Sequence, residues 1–518
     1  MIDTGSKAAL AGSPEGLEQL RALLDTALGA LGDAAHRRGG PVPPGGPPAA
    51  VAAVREAMGE GKFLTDEPSA QRVTNLFEAY ATWAVDLTHP SALARMQCAP
   101  TAVAAAAELV AGVLNQSLHA WESGPFALEL ERQLIREMAS WAGFGDEASG
   151  TLTPGGSISN LMGLLLGRDS VLKDTGVTGP RPDGVSAAGL TGRQIRPRVL
   201  CSAAAHFSIA RAAGFLGLGR DAVLTVPVDG RGRMLAGEAA RILAGLGPDE
   251  IPVALVATAG TTDHGSFDPL PELAALAAEY RMWLHVDAAY GIGALFSPTL
   301  APLLDGLAEA DSIAFDLHKF GWTPASSSVL LVRDRRHMDC LDQQAVYLNP
   351  SDDETFGFTS LLGTSLQTTR RSDAFKMAAS LLAVGREGMG TWVDTCHELA
   401  HHAAARIAAT DGLDLVAEPI LSTVIFRCRA SDTTPVADEN AWNAAVRRKL
   451  MTQGRALLAR TKITGPDGTP QVHLKLVFLN PTTAREEIDA LITDIAAAAR
   501  ELAQEEPASA RTTPFEHV

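Results

Sequence analysis

Trp283-Leu-His-Val-Asp-Ala-Ala-Tyr290, followed downstream by Asp316-Leu-His-Lys319, is the part of the chain that decides the fold. Each segment reads as a short apolar strand that stops on polar groups, first a carboxylate and then a histidine and a lysine. In open α/β sheets, ligands bind in the crevice outside the carboxyl ends of the strands. Asp287 and Lys319 are therefore expected at neighbouring strand ends, facing a common ligand. A carboxylate at the end of an apolar strand is costly to bury without a cationic partner.

The two strands of this pair, Met282–Val286 and Ser312–Phe315, stand among further apolar, β-branched runs at Arg198–Ser202, Ala222–Val226, Val253–Ala257 and Ser328–Val332. Helical stretches such as Leu273–Tyr280 separate several of them. Short, nearly continuous apolar strands predict an α/β fold with a central, mostly parallel sheet covered on both faces. Residues 1–102 are read as an N-terminal helical, dimerising segment with a Pro/Gly-rich linker at 38–48, residues 103–388 as the large domain, residues 389–505 as a smaller C-terminal α+β domain, and residues 506–518 as a disordered tail.

The 518 residues are 46% hydrophobic and 20% charged, which is ordinary for a globular enzyme. A net charge of −17 opposes a nucleic-acid partner, whose binding needs lysines and arginines to neutralise phosphates. No membrane-length apolar run and no signal-peptide layout is present, so a cytoplasmic location is expected. The five cysteines are widely spaced, with no Cys-x-x-Cys pair to suggest a disulfide framework or thiolate zinc site.

Thr153-Pro-Gly-Gly-Ser157 precedes an amphipathic run over Ile158–Asp169. Glycines admit an anion close to the backbone, and a helix N-terminus offers free N–H groups and a positive dipole. A glycine turn with a serine cap is the plainer reading of this piece taken alone. His206 follows one strand closely, and Ala259-Gly-Thr-Thr262 follows another. An imidazole there can stack on a ring, and the small hydroxylated residues can line it. With Asp287 and Lys319, these groups suit pyridoxal phosphate (PLP), which needs a lysine imine bond and an acid for its pyridinium nitrogen.

In this order and spacing, Pro154-Gly-Gly-Ser157, His206, Ala259-Gly-Thr-Thr262, His285-Val-Asp-Ala-Ala-Tyr290 and His318-Lys319 resemble the group II PLP-dependent amino-acid decarboxylases. The resemblance runs from about His89 to about Ile495. It implies a fold type I (aspartate-aminotransferase-like) homodimer with active sites near the subunit interface. It further implies Lys319 as the residue that binds the cofactor covalently and Asp287 as the partner of its ring nitrogen. His206 would stack on the ring, Gly156 and Ser157 would hold the phosphate, and Thr262, Ala289 and His318 would complete the shell. Tyr347 falls where the family carries a mobile-loop tyrosine that reaches the other subunit's site and protonates the product carbon. Relatives that form aldehydes oxidatively tend to lack the loop tyrosine or the stacking histidine. Both are kept here, so amine formation is expected.

Asn115-Gln-Ser117 with Trp121-Glu-Ser-Gly-Pro125, Tyr347-Leu-Asn-Pro350 and Leu366-Gln-Thr-Thr-Arg-Arg371 are similar to diaminobutyrate and siderophore-pathway decarboxylases. On that likeness the expected substrate is a diamino acid such as L-2,4-diaminobutyrate, with Trp121, Glu122 and Arg370 as pocket candidates. Glu122 has an equally simple reading as a helix-start acid, and Arg370 as a loop brace. Aromatic or acidic amino acids, or an aldehyde synthase, remain the alternatives. A second, unrelated motif is His397-Glu-Leu-Ala-His401, the His-Glu-x-x-His pattern of zinc peptidases. It leaves the glycine loop and the Asp287–Lys319 pair unexplained, and so short a pattern also arises on a solvated helix face. No metal is therefore expected.

Overall fold

Trp283–Asp287, all five residues buried, is a central strand of a seven-stranded sheet in the computed structural model. The structure describes residues 7–58, 69–174, 184–342, 345, 347–431, 434–464 and 468–505. The expected tail at 506–518 lies outside the described residues. In chain order the strands are β1 (Ala92–Leu93), β2 (Ser149–Thr153), β3 (Arg196–Ser202), β4 (Val223–Val226), β5 (Glu250–Thr258), β6 (Trp283–Asp287), β7 (Ser312–Asp316), β8 (Ser328–Val332), β9 (Leu413–Leu415), β10 (Thr423–Cys428), β11 (Leu457–Thr464) and β12 (Pro470–Val477).

The larger sheet runs β2-β8-β7-β6-β5-β3-β4. Only β8 is reversed; it pairs antiparallel with both β2 and β7, and all other neighbours are parallel. This is a type I fold with the mostly parallel sheet that the apolar runs predicted. β2 went unread in the sequence because Ser-Gly-Thr-Leu-Thr has no apolar run and no alternation.

The helix Gly156–Asp174 is buried over most of its circumference and packs directly on β6. A side chain at Gly163 would place its Cβ 2.5 Å from the His285 ring, and one at Gly167 would lie 2.7 Å from Trp283. The two glycines, one turn apart, are what let helix and strand approach so closely. Behind them, Met162, Leu166, Val199, Val256 and Leu330 belong to one buried apolar cluster.

The chain forms two compact units, Met96–His397 and a second made of Met1–Arg95 with Glu398–Val518. These limits differ from the 102/103 and 388/389 boundaries read from composition. The N-terminal segment is not a unit by itself. Its short β1 adds parallel to β11 at the edge of a five-stranded sheet of order β1-β11-β12-β10-β9. The core of that unit includes Val424, Phe426, Leu474, Leu476, Ile488 and Ile492. The Pro/Gly-rich stretch is not a free linker either. Gly40, Pro41 and Pro43 are buried, the Gly45 N–H donates to the Thr452 carbonyl, and a Cβ on Gly40 would collide with the Gly454 carbonyl. The helix Asp373–Ala408 is interrupted at Gly385, whose φ of 71° is left-handed.

Candidate active site

Asp287 closes β6 in register with Thr258, the last residue of β5, and with Ala314 inside β7, which runs on two residues further to Asp316. It is 4% exposed. Its Oδ2 accepts a hydrogen bond of 2.8 Å from the Asn160 amide, and its Oδ1 one of 3.1 Å from the Ala289 N–H. Buried polar groups need such partners, and here they aim the carboxylate. On the next strand, β7 ends at Asp316, and a single helical turn, Leu317–Phe320, carries His318 and Lys319. Lys319 Nζ lies 3.0 Å from Asp316 Oδ2, and His318 Nε2 lies 3.6 Å from the same oxygen.

The facing wall is the start of the helix Gly156–Asp174, preceded by Pro154 and Gly155. Together these elements bound a cavity of about 320 Å³, within the range of small-molecule sites. Gly156, Ser157, His206, Thr262, Asp287, Ala289, His318 and Lys319 all line it. Gly260, in the turn after β5, has φ 92°, and a Cβ there would strike the Gly291 backbone. That turn thus brings Thr262 to the wall. Burial holds His206 below the usual histidine value, with Asp287 pulling upward and Lys319 downward. His318 is likewise lowered by burial. His285, behind Asp287, is fully buried and falls to about 4.

Four expected site residues do not line this cavity. Tyr347 is 84% exposed, on the surface of the chain that carries it. Trp121 packs edge-on against Phe358, with ring centroids 5.0 Å apart, and Glu122 sits beside it in the same short turn. Arg370 is buried against Glu131, with 2.7 Å between the charged groups, and it also donates to the Leu152 carbonyl. Its Nη1 thus braces β2. In the His-Glu-x-x-His segment, Glu398 pairs with Arg485 and His401 with Glu418. Among the described residues no group of three or more His, Cys, Asp or Glu is arranged to hold a metal ion.

Sequence reasoning missed Asn160, Ser208, Asp316 and Ser312, and read His285 only as part of a motif. Asn160 had a signal, since it stands one helical turn after Gly156 and so shares its face. Asp316 had one too, three residues before Lys319. Behind the cavity wall the buried carboxylate of Asp268 accepts from the Thr258 and Met234 N–H groups, each at 2.7 Å.

The groups present fit PLP. A long helix N-terminus with glycines suits a phosphate, a buried, aimed carboxylate suits a pyridinium, and an amine stands at the adjacent strand end. The Thr258 hydroxyl on the same wall is buried without a hydrogen-bond partner among the described residues. Fold and site together define a PLP-dependent enzyme of the type I fold.

Comparison with known proteins narrows that class. Residues 66–429 match the family model of the pyridoxal-dependent decarboxylase conserved domain. The chain is 39% identical over 415 residues to an L-2,4-diaminobutyrate decarboxylase of Rhizobium meliloti, covering 80% of this chain and 79% of the relative. It is 30% identical over 403 residues to mouse cysteine sulfinic acid decarboxylase, covering 76% and 78%. Among solved structures, it resembles the glutamate decarboxylase domain of diaminobutyrate-pyruvate transaminase and L-2,4-diaminobutyrate decarboxylase from Vibrio parahaemolyticus. That match has a TM-score of 0.81 and 29% identity, and covers 94% of this chain and 97% of the other. The chain belongs to the PLP-dependent amino-acid decarboxylase family.

Proposed function

We propose that the substrate is an L-diamino acid, with L-2,4-diaminobutyrate the best fit, and that the products are CO₂ and the corresponding diamine. The observation that carries this choice is the 39% identity to the Rhizobium meliloti diaminobutyrate decarboxylase over most of both chains. The acidic-amino-acid and cysteine-sulfinate relatives stand at 27–30%.

Bound in the cavity, PLP supplies an electron sink for the pair released when CO₂ leaves Cα. Asp287 keeps a proton on the ring nitrogen. His206 covers the ring face and keeps water off it, while Gly156, Ser157 and the helix N-terminus hold the phosphate. Lys319 supplies the amine, and Asp316 holds that amine at the strand end until it is needed. Tyr347 then donates its phenolic proton to Cα.

Tyr347 is exposed and does not line the cavity of its own chain, which fits a role in the cavity of a second copy. We infer a homodimer in which the Tyr347 loop of one subunit serves the cavity of the other. Its support is the apolar surface left exposed on each unit: Leu17, Leu28, Leu31 and Val54 on one, Val110, Leu114 and Phe126 on the other. Among the described residues no helix is long and apolar enough to cross a membrane, so a membrane span is not an alternative use of those helices.

The test is a panel of L-diamino, acidic and aromatic amino acids, scored for CO₂ release and product mass. L-2,4-Diaminobutyrate is expected to give the highest kcat/KM, by at least tenfold. Preferential turnover of an acidic or aromatic amino acid would overturn the substrate reading. Aldehyde with oxygen uptake, instead of amine, would overturn the reaction type.

A further inference from the structure

Behind the cavity, seven side chains, five of them from the sheet and the helix Gly156–Asp174, form a continuous hydrogen-bonded chain. Trp283 Nε1 is 2.8 Å from Ser312 Oγ, which is 2.8 Å from His285 Nδ1. His285 Nε2 is 2.9 Å from Asn160 Oδ1. Asn160 Nδ2 reaches both Asp287 Oδ2, at 2.8 Å, and Ser208 Oγ, at 2.9 Å. Ser208 Oγ is in turn 2.8 Å from Nδ1 of His206, which lines the cavity. Trp283, Ser312, His285, Asn160, Asp287 and Ser208 are each at most 4% exposed.

Donor chemistry gives this chain a single direction. An indole N–H can only donate, so Ser312 Oγ accepts from Trp283, and its own hydrogen goes to His285 Nδ1 because Asn160, with its N–H on Asp287, offers His285 Nε2 only an oxygen. The hydrogen of His285 must then sit on Nε2, from which it goes to Asn160 Oδ1. Asn160 has two N–H bonds left, one for Asp287 and one for Ser208. Turning the amide over would set its oxygen against a carboxylate oxygen, so the far end demands the same direction as the near end. The Ser208 N–H, which can only donate, faces His206 Nδ1 at 3.4 Å, so Nδ1 is the acceptor and the Ser208 hydroxyl turns its hydrogen to it. His206 is left with its hydrogen on Nε2.

We propose that Asn160 is a positioning residue that ties the acid beneath the ring nitrogen to the histidine on the ring face, and that the chain it completes holds His206 as the neutral Nε2–H tautomer. A proton added at His206 Nδ1 would be set against the Ser208 N–H and would force the Ser208 hydroxyl to turn its hydrogen away. The face of the cavity therefore stays uncharged beside Lys319, and Asp287 cannot rotate without disturbing His206. The burial that lowers His206 acts in the same sense. The proposal rests on the cofactor reading of the cavity, but its first measurement does not.

The test uses holoenzyme labelled with ¹⁵N-histidine, with ring-nitrogen NMR to read tautomers and the His206 signals identified by their loss in His206→Gln. In the unsubstituted enzyme, His206 and His285 should both show the Nε2–H pattern. Asn160→Ala should give His206 a mixed or Nδ1–H pattern and speed cofactor dissociation by about tenfold, the loss expected for one hydrogen bond to a charged group. Ser208→Ala should release the His206 tautomer while the Asn160–Asp287 bond persists, which keeps the test decisive should Asn160→Ala not fold. An Nδ1–H pattern at His206 in the unsubstituted enzyme overturns the proposal. So does an Asn160→Ala enzyme with unchanged tautomer and unchanged dissociation. A chain that binds no cofactor at all fails differently, by removing the cavity reading itself.

Discussion

Lys319 and Asp287 stand at adjacent strand ends with different supports. Asp287 is aimed by two N–H donors, and Lys319 is held by the Asp316 carboxylate. Lys319→Ala should therefore remove the borohydride-reducible visible chromophore of the purified protein. A chromophore that survives unchanged would take the covalent role away from Lys319. Burial of histidines at this site has a second consequence, in stability. His285 titrates near 4 in the folded chain against 6.5 for a free histidine. Between those values the unfolded chain binds a proton that the native chain does not, so stability falls as pH drops from about 6.5 towards 4. Asp268 works against this. Burial raises its carboxyl from 3.8 to about 6, so the native state binds the extra proton over that interval and gains on acidification. His206, His318 and His89, all lowered by burial, side with His285. Tm should thus fall between pH 6.5 and 4, and His285→Asn should flatten the fall; profiles of equal slope would discount His285.

At the scale of elements, the seat of the helix Gly156–Asp174 on β6 depends on Gly163 and Gly167. Gly163→Ala forces a methyl group to within 2.5 Å of the His285 ring. Overpacking of this kind costs about 1–3 kcal/mol, set against roughly 1 kcal/mol of helix propensity that alanine gains over glycine. A net loss of up to about 2 kcal/mol is expected, read as a lower urea midpoint with an unchanged m value. Gly29, inside the helix Pro14–Arg38 with nothing within 4 Å of its would-be Cβ, is the control. Gly29→Ala should stabilise by about 0.5–1 kcal/mol. The same elements explain how much could be read beforehand. β3 and β5 to β8 were legible because strands buried on both faces are written as apolar runs, and the cavity-lining residues because they punctuate those runs. β2 was not, because its residues are small and polar and its strandedness comes from pairing with β8. Asn160 and Ser312 were not, because a polar residue that works by bonding inward leaves no periodic trace. The stretch at 38–48 misled because Pro and Gly mark irregular backbone without saying whether it is packed.

For the whole molecule, the inferred exchange of Tyr347 between subunits makes a specific prediction. Lys319→Ala should be inactive, and Tyr347→Phe should divert product from amine to aldehyde with oxygen uptake. Mixing the two after partial dissociation creates hybrids in which an intact lysine meets an intact tyrosine at one of the two cavities. Amine formation should then reappear, towards a quarter of the unsubstituted rate for random mixing of two subunit types, on the order of what one working site in half the dimers gives. A mixture no better than the sum of its parts would place Tyr347 in its own subunit or outside the reaction. The exposed apolar side chains of both units make sedimentation the companion measurement, with a dimer expected.

The pairing of Ala92–Leu93 with Leu457–Leu458 also bears on how the chain comes off the ribosome. The unit Met96–His397 is continuous in sequence and is complete when residue 397 has emerged. The other unit joins segments from both sides of it, and contacts so distant in sequence form slowly. Its strand β1 must wait without a partner until β11 has been made. Premature termination after residue 397 would therefore leave a finished cofactor cradle attached to an orphaned half-unit, a form suited to capture by chaperones.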